Sequence, residues 1–157
     1  MRALVLNLVL ALVWAGFIGE ITPSKLAVGF IFGYLLMWWL RRLVGRTTYF
    51  EKVPQILSFT LFFIKEFLHS NLRVARDVIS LKRNSRPGIV AVPLDIRSDF
   101  EITLLATLLA LTPGTFAMDV SNDRKTMYIH AMFVTDPDLL RKSIKDGLER
   151  RIMELFR

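Results

Sequence analysis

Two apolar runs open the chain. From Ala3 to Gly19 there is no charge and Asn7 is the strongly polar exception, and from Leu26 to Leu40 no charge occurs at all. The first run predicts a helix over about 3–20, roughly 27 Å long at 1.5 Å per residue and just sufficient for a hydrocarbon core. Thr22 to Lys25 form the turn, and Pro23 and Ser24 suit the first turn of a second helix over 24–42, where missing or capped N–H groups cost nothing. These two helices are expected to form a transmembrane hairpin. In the second, Gly29 and Gly33 make a G-x-x-x-G pair that allows close approach of a neighbouring helix, and Trp38 and Trp39 fall at interface depth. A cleavable leader is disfavoured, because no small-x-small pair precedes a polar start and a second apolar stretch follows at once.

The third stretch, Val53 to Ile64, is interrupted by Lys65 and Glu66 and is too short to span by itself. It predicts a long juxtamembrane helix over 54–81. A third span stays open as an alternative, but it would put Arg73, Arg76, Lys82, Arg83 and Arg86 on the side opposite the Arg41, Arg42, Arg46 and Lys52 cluster. The first 86 residues are therefore expected to be an anchor region.

From Pro87 the periodicity changes. Gly88 to Ile96 reads as a short β-branched strand, with Pro93 marking an edge or bulge. Ser98 and Glu101 form an S-x-x-E box before a helix through about Leu111, which Thr112, Pro113, Gly114 and Thr115 terminate. Thr115 to Val120 and Thr126 to Val134 predict a hairpin around Ser121 to Lys125, with both sheet faces at least partly covered. Leu140, Ile144, Leu148 and Ile152 recur every fourth residue and predict one amphipathic closing helix. Residues 87–157 thus read as a small two-layer β-α-β-β-α domain, a truncated ferredoxin-like fold, so the whole is a membrane-anchored α+β protein.

Composition agrees with an anchor: 53% of the residues are hydrophobic and 22% charged, with mean hydropathy +0.42. The net charge of +7 is not spread evenly. Residues 41 to 86 hold ten basic residues against three acids, whereas residues 87 to 157 hold nine against ten. Positive charge beside apolar helices points to anionic membrane lipids and a cytoplasmic N-terminus and C-terminal domain, not to nucleic acid.

The residue inventory argues against an enzyme and against a bound cofactor or metal. There is no cysteine, and His69 and His130 lie far apart in sequence. Glu20, Glu66 and His69 are the ionisable groups tied to apolar segments, and they are the candidates for an ion path. The turn Thr112 to Thr115 reads as a helix stop that could also offer backbone amides. A protein with an anchor, a basic helix and a small domain, but no catalytic set, is expected to hold other chains. Gly29, Gly33, Glu66, Asn71 and Thr112, Pro113, Gly114 and Thr115 are the candidate partner contacts.

Several blocks carry a family resemblance: Ser70-Asn71-Leu72-x-Val74-Ala75, Pro87-Gly88-Ile89-Val90 followed by Pro93-Leu94, the run Glu101 to Thr115 (EITLLATLLALTPGT), Met118-Asp119-Val120, and Tyr128-Ile129-His130-Ala131. In their order and over essentially the whole chain they resemble the E subunit of multisubunit Mrp-type (Mnh/Pha-type) sodium/proton antiporters. The resemblance implies a non-catalytic small subunit of a seven-subunit complex of the bacterial or archaeal plasma membrane, partnered by A, B, C, D, F and G type subunits and serving sodium and pH homeostasis. It implies no substrate of the subunit's own. Thr107 stands where the family's motif often has asparagine, which weakens any role for that side chain. The alternatives are a contribution of Glu20, Glu66 or His69 to the sodium path, or a stand-alone lipid-binding or regulatory module.

Overall fold

The computed structural model describes residues 2–40, 48–80 and 85–156. The basic residues Arg41, Arg42, Arg46, Lys82 and Arg83 lie outside the described residues. The chain divides into two compact units, Met1–Gln55 and Ile56–Arg157, each taken by itself below.

The first unit is built on a helical hairpin of α1 (Arg2–Phe17) and α2 (Pro23–Trp39). Helix α1 stops earlier than the apolar run suggests, because Gly19 adopts φ +83, a left-handed conformation that ends a helix cheaply only at glycine. Thr22 caps α2, its Oγ1 accepting from the N–H of Lys25 at 3.4 Å, with Pro23 at the first helical position. A stripe of small residues makes the contact. Ala3, Asn7, Ala11 and Ala15 are the buried side of α1, and Gly29, Gly33 and Met37 the buried side of α2. A Cβ on Gly29 would lie 2.9 Å from both the Ala11 carbonyl oxygen and the Trp14 side chain, and one on Gly33 would overlap Oδ1 of Asn7. The G-x-x-x-G pair is thus used within the hairpin. Trp14 stacks on Phe32 at 4.9 Å between ring centroids.

These lengths correct the expected transmembrane hairpin. At 1.5 Å per residue, the 16 and 17 residues of α1 and α2 reach about 24 and 26 Å, against the roughly 30 Å of a hydrocarbon core. The third helix, α3 (Tyr49–Ile79), has 31 residues but is interrupted by charge. Among the described residues no helix is long and apolar enough to cross a membrane. The membrane-anchored class, and with it the multi-pass plasma-membrane placement with cytoplasmic N-terminus and C-terminal domain, is overturned by that finding. The protein is an α+β chain with several helices and one small sheet.

The second unit holds the sheet. Strands β1 (Gly88–Pro93), β2 (Thr115–Val120) and β3 (Thr126–Ala131) lie in the order β1-β3-β2, both outer strands antiparallel to the central one. β1 and β2 therefore run parallel with β3 between them, the split β-α-β arrangement joined by α4 (Asp99–Leu111). Glu101 closes the start of α4, its Oε2 accepting from the N–H of Ser98 at 3.2 Å. After β3 come α5 (Pro137–Ile144), a π-helical turn over Lys145–Glu149 and α6 (Arg150–Phe156), where the four-residue repeat predicts one uninterrupted helix. Asp136 caps α5 with Pro137 at the first position.

Val90, Val92, Met127 and Ile129 of the sheet pack with Leu105, Leu108 and Leu109 of α4 and with Ile144, Leu148 and Ile152 from the closing helices. Phe59, Phe62 and Phe63 of α3 border this core. The other sheet face is open. Ile89, Phe116, Met118 and Tyr128 stay exposed there, so only one face is covered, contrary to the reading from β3 alternation.

Candidate functional site

Five of the residues singled out as partner contacts, far apart in sequence, line one cleft of the second unit. Glu66 on α3 faces it together with Thr112, Pro113, Gly114 and Thr115, the turn that ends α4. The volume is ≈ 230 Å³. Phe62, Ser70 and Arg73 complete the α3 wall, Phe133 and the end of β3 form another, and Leu140, Ser143 and Gly147 close it. Glu66, Ser70 and Arg73 are spaced by four and three residues, so one helix face delivers all of them. That spacing was legible in the sequence. What it could not tell is which loop the face meets.

The threonine turn is held by its own hydroxyls. Thr112 Oγ1 donates to the Leu108 carbonyl at 2.8 Å, and Thr115 Oγ1 donates to those of Leu109 at 2.9 Å and Thr112 at 3.1 Å. These bonds satisfy carbonyls that the end of a helix leaves without partners. The N–H groups of Thr112 and Thr115 donate to Leu109 and Thr112, and the Gly114 carbonyl accepts from Met132 N–H at 2.8 Å. The turn therefore presents a rigid surface to the cleft, with the amides of Thr112 and Thr115 already engaged.

The remaining candidates fall elsewhere. Asn71 donates from Nδ2 to the Phe67 carbonyl one turn back at 2.7 Å. Glu20 is exposed and pairs with Lys25 at 2.6 Å, bracing the α1–α2 turn. His69 lines an adjoining cavity with Arg73 and Arg76, and Arg73 and Phe133 line both. His130 sits on β3 between Phe116 and Ile89, and Thr107 returns its hydroxyl to the Thr103 carbonyl at 2.8 Å. Glu20, Glu66 and His69 thus occupy three different surroundings. Among the described residues no group of His, Cys, Asp or Glu forms a metal-binding cluster.

The sequence reading passed over Glu149. It is fully buried in the π-helical turn, where its Oε1 accepts from the N–H groups of Asp95 at 2.6 Å and Ile96 at 3.2 Å. Its Oε2 lies 3.5 Å from Nζ of Lys145 but makes no hydrogen bond. The same ammonium reaches Asp95 Oδ2 at 2.8 Å and donates to the Pro93 carbonyl at 2.9 Å. Burial works to lower the Lys145 pKa, but the bond to Asp95 and the charges of Glu149 and Asp95 outweigh it and hold the group above its ordinary value. The Arg141 Nε donates to the Ala91 carbonyl at 2.8 Å. Two cations thus cover outer-edge carbonyls of β1, where Pro93 offers no N–H. The weak signal in sequence was Lys145 and Glu149 four residues apart, a spacing ordinarily found on a solvated face.

The described residues form a helical hairpin in one unit and, in the other, a small split β-α-β sheet unit with one largely apolar cleft, an α+β protein of several helices and one small sheet. Comparison with known proteins gives the family. Residues 7–155 match the family model described as Na+/H+ ion antiporter subunit. The chain is 38% identical over 152 residues to the E subunit of a Na+/H+ antiporter of Alkalihalophilus pseudofirmus, covering 97% of this chain and 96% of the relative. It is 37% identical over 154 residues to that of Bacillus subtilis, covering 98% of each. The chain belongs to the family of Na+/H+ antiporter E subunits. Among solved structures, a chain of the Mrp complex from Dietzia sp. matches with TM-score 0.51 and 31% identity, over 65% of this chain and 96% of that one. A chain of the membrane-bound sulfane sulfur reductase, an archaeal respiratory membrane complex, matches with TM-score 0.59 and 23% identity over 99% of each, a likeness of fold.

Proposed function

We propose that this chain works by gripping neighbouring subunits through its apolar hairpin and through the cleft at Glu66. The chain is a non-catalytic accessory subunit of a multisubunit cation/proton antiporter, and it associates with other subunits of that complex. The observation that carries the gripping role is the hairpin's outer surface. Leu4, Leu8, Leu12, Ile31, Leu35 and Trp39 are among the many large apolar side chains exposed around both helices. A helix apolar on every side is stable only when something covers it. Most of them are about half exposed, so covering each contributes about 1 kcal/mol and many together are needed to offset the cost of association. Subunits of the A, B, C, D, F and G types are the partners we assign to these surfaces. Glu66 and the Thr112 to Thr115 turn receive an apolar segment of one of them, a reading supported by their convergence on one largely apolar cleft. The basic stretch between residues 41 and 86 meets anionic lipid headgroups.

The test is capture of the other subunits by tagged full-length chain from cells expressing the whole complex, comparing wild type with Leu8→Glu/Leu12→Glu. The variant is expected to lose the other subunits and sodium-dependent proton exchange together. Full retention of both overturns the gripping role.

A further inference from the structure

Beside the cleft lies a second cavity of ≈ 330 Å³ whose chemistry is different. His69, Arg73, Arg76, Asp77 and Ser80 of α3 line it, and Phe133 faces them. Positions 69, 73 and 76 are separated by four and three residues, so one face of α3 carries all three nitrogen-bearing side chains. Phe133 is fixed in place: it bridges to Arg86, whose carbonyl accepts from Val134 N–H at 2.9 Å. The charge is unbalanced. Among the described residues, two guanidinium groups and an imidazole line the cavity with one carboxylate, and neither Arg73 nor Arg76 forms an ion pair.

Two like charges held one turn apart repel, and an anion between them reverses the sign of that interaction. The guanidinium fork offers paired N–H donors that match phosphate oxygens, and an imidazole N–H adds another. His69, Arg73 and Arg76 are exposed along a groove open to solvent, so a phosphate can reach all three without displacing a neighbour. We propose that His69, Arg73 and Arg76 form a binding site for a phosphate group, either free phosphate or the phosphate of a lipid headgroup. The inference rests on the anionic-headgroup part of the proposed function and gives it a place, at residues of which Arg73 and Phe133 also line the cleft.

The experiment uses purified full-length chain with two probes. Inorganic phosphate is titrated calorimetrically, and flotation compares phosphatidylcholine vesicles with vesicles also containing phosphatidylglycerol. Saturable binding of inorganic phosphate identifies free phosphate as a ligand, whereas a response only to phosphatidylglycerol identifies the headgroup. Whichever probe binds, Arg73→Ala/Arg76→Ala is expected to weaken it by about tenfold or more, the scale of one lost charge-assisted hydrogen bond. Arg73→Lys/Arg76→Lys is expected to fall between, and Lys125→Ala, in the β2–β3 turn, to match wild type. Far-UV circular dichroism checks that each variant is folded. No binding of either probe, or wild-type affinity in the double-alanine variant, overturns the site. In the second case retained binding to phosphatidylglycerol leaves the diffuse attraction of the basic stretch standing.

Discussion

Alanine at position 33 puts one methyl group where the hairpin has no room for it. The new Cβ overlaps Oδ1 of Asn7 and lies 3.2 Å from Cβ of Leu10, so the helices must separate or Asn7 must leave its place, where Nδ2 donates to Tyr49 Oη at 2.7 Å. Overpacking of this kind costs about 1–3 kcal/mol. Replacing glycine inside a helix also returns about 1 kcal/mol of backbone propensity. Gly33→Ala alone is therefore expected to destabilise by only about 0–2 kcal/mol, a poor test. A double-mutant cycle separates the terms. Asn7→Ala removes the obstructing oxygen, which is itself buried without a partner, at the loss of the tyrosine bond, a change of about 1 kcal/mol or less. In that background Gly33→Ala keeps the propensity gain and loses the overlap with Oδ1, while the 3.2 Å approach to Leu10 remains, so the coupling between positions 7 and 33 is expected to be about 1–2 kcal/mol. Gly16→Ala serves as the control: a Cβ there meets nothing within 4 Å, and the change is expected to stabilise by about 0.5 kcal/mol. All three tryptophans, Trp14, Trp38 and Trp39, lie in this unit, so tryptophan fluorescence during denaturant unfolding reports the loss of its structure directly. A coupling below about 0.5 kcal/mol would refute the close-contact argument.

Two further outcomes concern the second unit. Glu149→Ala strands the Asp95 and Ile96 N–H groups and removes a charge facing Lys145, and a loss of about 3–5 kcal/mol is expected; Glu149→Gln keeps one acceptor and should cost less. Urea unfolding monitored by far-UV circular dichroism measures both, and equal effects of the two changes would show that the acceptor is unimportant. The raised Lys145 pKa gives a signed pH dependence. A cation favoured in the folded state stabilises fully below its ordinary value of 10.5, and that contribution disappears as pH rises through the higher folded value. Wild type should therefore lose stability relative to Lys145→Met above pH 10.5, and parallel curves there would rule the linkage out.

Local sequence suffices for the strands and α4 of the second unit and for their order, though not for the π-helical turn that divides the closing helix. Period-two alternation, the Ser98 and Glu101 pair and the Thr112 to Thr115 stop act over a few residues, and the backbone obeys them. The same short-range signals marked Glu66 and the threonine turn as residues of interest, each through its own neighbourhood. Apolar length, however, measures only what water avoids, not where a helix ends. Gly19 stops α1 at Phe17, which shortens the first helix below a membrane's width and removes the transmembrane hairpin that hydropathy suggested. Three more features depend on contacts between residues remote in the chain. Gly29 and Gly33 lie against Ala11, Trp14 and Asn7 of the same chain, because only the folded hairpin shows which helix comes close enough to exclude a Cβ. Glu149 is buried in a π-helical turn, because two backbone N–H groups that require an acceptor arrive from the end of β1, more than fifty residues earlier. Glu66 meets the Thr112 to Thr115 turn because the α3 aromatics pack on the sheet's core, a contact that no pattern along the chain encodes.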